Sequence, residues 1–101
     1  VVTNSSDIIN TSIPPSFSLS QAYPNPFNSS TNIVFSIPTE SYVSIKVYDI
    51  LGKEVESLAD QQYSTGSHSL IWNADELSSG VYFVKLVAQN FTDTQKLMLI
   101  K

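Results

Sequence analysis

From residue 17 onward, apolar side chains recur at every second position in short runs, and turn residues interrupt each run. Ile33, Phe35 and Ile37 alternate with Asn32, Val34 and Ser36; Val43, Ile45 and Val47 alternate with Ser44, Lys46 and Tyr48. A period of two places alternate side chains on opposite faces of a strand, so the second run reads as apolar inward and polar outward. Further runs lie at 17–21, 69–73, 81–88 and 95–100. Pro24-Asn25-Pro26, Pro38, Gly52, Gly66 and Ser78-Ser79-Gly80 punctuate them. Short strands at this spacing predict an all-β sandwich or barrel. In 53–62, Val55, Leu58 and Ala59 also fit a helical stripe. Three apolar positions make too weak a helix to stand alone, and a short strand at about 54–58 is expected, with Gly52 completing a hairpin turn after Asp49.

Residues 1–16 differ from the rest. Ten of the sixteen are Ser, Thr, Asn or Pro and none is aromatic. Pro14-Pro15 favours stiff, extended backbone. A linker over 1–16 leading into a domain over 17–101 is expected, and Val1-Val2 and Ile8-Ile9 are compatible with remnants of a preceding strand. The chain starts with Val rather than Met and carries no signal peptide, as expected of a piece of a larger protein.

The last two runs are apolar on both faces. Tyr82, Val84 and Leu86 share one face, beside which Leu97 and Leu99 can pack. Val81, Phe83, Val87, Met98 and Ile100 lie on the other, with Lys85 and Lys96 as exceptions. Such strands are covered on both faces or offer a surface to a partner. Cover by the N-terminal segment or a loop is the simpler expectation.

Composition removes most chemistry. There is no Cys, hence no disulfide, thiolate nucleophile or Cys-ligated metal. One His cannot build a multi-histidine site. With no Arg and a net charge of −4, the chain lacks the basic surface that nucleic acid demands. No apolar run approaches the length of a membrane span. Seventeen serines make any pairing with His68 uninformative, and no G-x-S-x-G, G-x-G-x-x-G or P-loop is present. Glu54 and Glu56, on one strand face and roughly 6.6 Å apart along the backbone, imitate a glycosidase pair, but two solvated Glu on an edge strand explain them more simply. Asp75-Glu76 lacks the spacing of a Ca²⁺ loop. Tyr23, Tyr42, Tyr48, Tyr63 and Trp72 are available for sugar stacking, although Trp72 lies in the run Leu70-Ile71-Trp72 and suits core or rim packing better. The Asn-x-Ser/Thr sequons at Asn4, Asn10, Asn28 and Asn90 are expected by chance in a chain with 24 hydroxyl residues. No catalytic residue, metal ligand or cofactor is expected.

In order, the chain reads FSLSQAYPNPFN (17–28), TNIVFSIP (31–38), VSIKVYDILGKEV (43–55), GSHSLIWN (66–73), LSSGVYFVKL (77–86) and TQKLMLIK (94–101). Each motif alone is weak; together, in this order, they resemble the C-terminal sorting domain of the bacterial type IX secretion system, type A. Immunoglobulin-like modules such as that of the flagellar hook-capping protein share the Gly-Val-Tyr strand. The resemblance implies an immunoglobulin-like antiparallel β-sandwich of about seven strands with no activity of its own. It further implies attachment behind a larger cargo domain, partnership with type IX translocon components and a sortase-like protease, and a secreted or cell-surface destination by way of periplasm and outer membrane. Asn73 stands where the family often has Asp, and Lys53 where it often has Arg.

The motif residues carry physical expectations. Pro24, Asn25 and Pro26 form a rigid turn at the start of the domain, with Asn25 bonding its own backbone. Asp49 and Gly52 shape the hairpin after Tyr48. Gly80 admits the chain to its strand where a side chain would clash. Lys96 and Lys101 charge a terminal strand that also carries Met98 and Ile100. Residues 85–101 hold three Lys and one Asp, whereas residues 1–84 hold two Lys and eight acids. The terminal strand is thus suited to an acidic partner, through edge pairing near Lys101, or is simply kept soluble by its lysines. The alternative function is a carbohydrate-binding or adhesive accessory module of a secreted enzyme.

Overall fold

A computed structural model describes residues 14–101. The linker expected over 1–16 therefore lies almost wholly outside the described residues, as does any cover that its first thirteen residues lend to the sheets. The described residues hold seven strands and no helix: β1 (Ser18–Leu19), β2 (Ser30–Ile37), β3 (Ser41–Asp49), β4 (Glu54–Tyr63), β5 (Gly66–Asn73), β6 (Gly80–Ala88) and β7 (Phe91–Leu99). They form a three-stranded sheet, β1-β2-β5, and a four-stranded sheet, β4-β3-β6-β7, with every strand pair antiparallel. The expected immunoglobulin-like sandwich is what the chain forms.

The alternation builds the core. Ile33, Phe35 and Ile37 of β2 face Val43, Ile45 and Val47 of β3, Val84 and Leu86 of β6, and Leu97 and Leu99 of β7, all at most 2% exposed. Burying each such side chain stabilises the fold by about 1.5–3 kcal/mol. Trp72 joins them from β5, 5.3 Å from the ring of Phe27 and 5.7 Å from that of Tyr82. The Tyr82 hydroxyl donates to the Ser78 carbonyl at 2.7 Å, the kind of link that fixes the tyrosine corner of immunoglobulin folds.

Strand β4 runs ten residues rather than the expected five. Its register against β3 shifts twice, so that Val55 and Leu58 have no partner while Glu54, Glu56, Ser57 and Ala59 do. These bulges break the period of two, and the two unpartnered residues are those that with Ala59 imitate a helical stripe. The first bulge also separates the carboxylates. Glu54 pairs with outward Tyr48 and Glu56 with inward Val47, so the expected shared face for Glu54 and Glu56 does not exist.

Candidate functional site

Of the motif residues, Asp49 and Gly52 lie in the β3–β4 hairpin toward one edge of the four-stranded sheet, whereas Pro24, Asn25 and Pro26 meet Lys96, Met98 and Ile100 on the side of the sandwich where β7 ends that sheet. The chain crosses that side before entering β2, with cis peptide bonds at Tyr23-Pro24 and Asn25-Pro26. Asn25 does not bond its own backbone, as its turn setting suggests, but the main chain of β7. Its Nδ2 donates to the Lys96 carbonyl and its Oδ1 accepts from the Met98 N–H, each at 3.0 Å. The carboxamide thus presents one donor and one acceptor to the strand as a neighbouring peptide group does. Two residues on, Phe27 continues the pairing with real backbone. Its N–H donates to the Met98 carbonyl at 2.9 Å and its carbonyl accepts from Ile100 N–H at 2.8 Å, a parallel bridge beside Leu99.

β7 returns the device. The Gln95 Oε1 accepts from Ala22 N–H and its Nε2 donates to the Ser20 carbonyl. Two side-chain amides, one on each segment, thus tie 20–27 to the terminal strand. Thr31, 2% exposed, holds the proline turn from the other side by donating to the Pro24 carbonyl at 2.6 Å. Lys101 is fixed as well: its N–H donates to Ser79 Oγ at 3.0 Å and its Nζ to the Asp75 carbonyl. The Lys96 carbonyl, both main-chain groups of Met98 and the Ile100 N–H, on the edge of β7, are therefore taken within the chain. Edge pairing of a partner strand at Met98, expected from the apolar terminal run, would have to displace these four bonds.

Asp49 and Gly52 act as expected. Asp49 Oδ1 accepts from Leu51 N–H and Lys53 N–H, both at 2.9 Å, and Gly52 N–H closes the turn onto the Asp49 carbonyl at 3.0 Å. Gly52 has φ +87°, a left-handed conformation that suits glycine. The turn holds Ile50 and Leu51 out into solvent, 70% and 89% exposed. At Gly80 the expected clash is absent, since a Cβ there meets nothing within 4 Å; its φ of +154° is the reason for glycine. Asn73 accepts from Asp75 N–H through Oδ1 at 2.9 Å, a bond that a carboxylate oxygen makes equally well, so the turn does not need Asp there.

The sugar-stacking candidates scatter. Trp72 is buried, Tyr48 is half-buried, and Tyr63 is half-buried against Phe35 and His68 at 5.1 and 4.9 Å. His68 donates through Nε2 to the Ser64 carbonyl at 2.8 Å, as a structural histidine does. Tyr42 is exposed but donates to Asp60 Oδ1 at 2.6 Å; that hydrogen bond, with lesser contributions from desolvation and from the negative charge, raises its pKa above the ordinary tyrosine value of 10.0. Tyr23 is exposed and lies beside a shallow groove of about 180 Å³ shared with Asn32 and Ile71.

Sequence reasoning missed Gln95, Thr31, Ser79 and the backbone of Phe27. The available signal for Gln95 was a lone uncharged amide at the start of a terminal run that is apolar but for Lys96. Its partner 73 residues away was not visible.

No curated protein matches the chain. Residues 21–101 match the family model described as a secretion system C-terminal sorting domain, a family of sorting signals without catalytic activity. With four-fifths of its length covered, the chain belongs to the family of type IX secretion C-terminal sorting domains.

Proposed function

We propose that this domain directs a larger cargo, attached at its N-terminal side, through the outer-membrane translocon of a type IX secretion system. In this reading a sortase-like protease cuts in or before residues 1–16, and the cargo is released or attached at the cell surface. The family match over residues 21–101 carries the reading. The clamp agrees with it, because a signal read as a folded shape needs its terminal strand held in one arrangement.

The test fuses the full chain behind a folded reporter in a type IX host. Export to the surface or medium is expected, and no export from the same host lacking the translocon. Retention of the folded fusion in the periplasm of the intact host overturns the proposal. Deleting 94–101 is a poor test, because it removes Leu97 and Leu99 from the core together with both amide clamps. The carbohydrate-binding alternative rests on Tyr23 beside Asn32. Retention on an immobilised polysaccharide that is lost in Tyr23→Ala favours it.

A further inference from the structure

With the edge around Met98 taken by 25–27, what this part of β7 offers a partner is its outward face. That face continues across β6 and β3 in register. One row runs Glu54, Tyr48, Phe83, Lys96; the row beyond it pairs Val81 with Met98; another runs Ser57, Lys46, Lys85, Thr94. Tyr48, Val81 and Phe83 are half-buried and Met98 is 41% exposed, so an apolar band remains open to solvent. Three of the five lysines border it. Lys46 pairs with Glu54 at 3.5 Å; Lys85 and Lys96 form no ion pair among the described residues. Counting Glu54 and Asp60 against the three lysines, this face is positive in a chain whose net charge is −4. An apolar centre with a polar rim of net positive charge fits the anatomy of a protein interface.

We propose that this outward face, centred on Phe83 and Met98 and bordered by Lys85 and Lys96, docks an acidic protein surface with an apolar centre. The inference rests on the sorting reading and names the chemistry of the partner that reads the signal. A lipid surface fits less well. Val81 and Phe83 are already half-buried, so they leave little apolar area to insert into a bilayer. A purely anionic polymer needs the lysines but leaves the apolar band without a role.

The test uses the full chain fused to a reporter in a type IX host, comparing K85E/K96E with K53E, a single charge reversal on the hairpin tip, as the control. Expected results are at least a tenfold loss of export for K85E/K96E, near-normal export for K53E, and unchanged circular dichroism. If the reversal perturbs folding, K85Q/K96Q replaces it, with a partial loss expected. A photo-crosslinking residue at position 98 is expected to capture a protein in the wild-type background but not with K85E/K96E; one at position 71, on the other sheet, captures none. Export of folded K85E/K96E at the wild-type level overturns the inference. So does charge-dependent sedimentation with phosphatidylglycerol vesicles when position 98 yields no protein crosslink. Failure of the unmodified fusion to be exported overturns the sorting reading itself, and is seen before any variant is made.

Discussion

The carboxamide of Asn25 and the backbone of Met98, 73 residues apart, are joined as two strands of a sheet are joined: Oδ1 of the one accepts the N–H of the other at 3.0 Å. The same side chain donates to the Lys96 carbonyl, so Asn25→Ala exposes one donor and one acceptor of β7 to water. Because both bonds lie at the surface, the expected loss is about 1–2 kcal/mol, as for two solvent-accessible hydrogen bonds. Asn25→Asp keeps the acceptor but sets a carboxylate oxygen against the Lys96 carbonyl, and should be no more stable than the alanine variant. Urea unfolding measures both. Hydrogen exchange should quicken at Met98 before it does in β3.

Gln95 ties the same two segments from the opposite direction. If the two amides hold one unit, Asn25→Ala and Gln95→Ala will not add. A double-mutant cycle is expected to give a coupling of about 0.5–1 kcal/mol, in the range found for groups within one network. Additivity within error shows instead that each amide pins its own stretch independently.

Little of this clamp was legible in the sequence, while most of the fold was. Alternation at Ile33, Phe35 and Ile37 and at Val43, Ile45 and Val47 marks strands because one face is buried, and burial is local information. Asp49 and Gly52 were legible for a similar reason: their bonds close within four residues. Asn25 was read as a local turn former because Asn usually is one; its true partner lies on the last strand, and no spacing rule connects them. Strand β4 was half legible, since the bulges at Val55 and Leu58 destroy the period on which the reading depends.

Among the described residues the buried Trp72 indole N–H has no hydrogen-bond partner, and its ring packs against those of Phe27 and Tyr82. Leaving a buried donor unsatisfied costs about 1–3 kcal/mol. Trp72→Phe removes that penalty while giving up part of the packing, so it is expected to cost only about 1 kcal/mol. Trp72→Ala forfeits the whole ring and should cost about 3–5 kcal/mol. Thermal unfolding of the two variants separates these effects.

Gly52 and Gly80 both have room for a side chain and both have positive φ. Alanine at either site is therefore expected to destabilise by about 1–2 kcal/mol through backbone strain alone. Gly52→Asn should cost less than Gly52→Ala, because Asn tolerates the left-handed region. Equal losses for Asn and Ala at position 52 contradict this account. Unfolding midpoints in denaturant provide the comparison.

Tyr42 donates to Asp60, and its raised pKa comes first from that bond, then from desolvation and the negative charge. A hydroxyl whose folded pKa lies above its unfolded value contributes stability that is fully present below pH 10 or so. That stability is lost as pH rises through the folded value. The group is exposed, so the effect on stability is small, and the titration is the better readout. In Asp60→Asn the Tyr42 transition, followed by tyrosinate absorbance, is expected to move down toward the ordinary value. An unchanged transition shows that Asp60 is not what holds the proton.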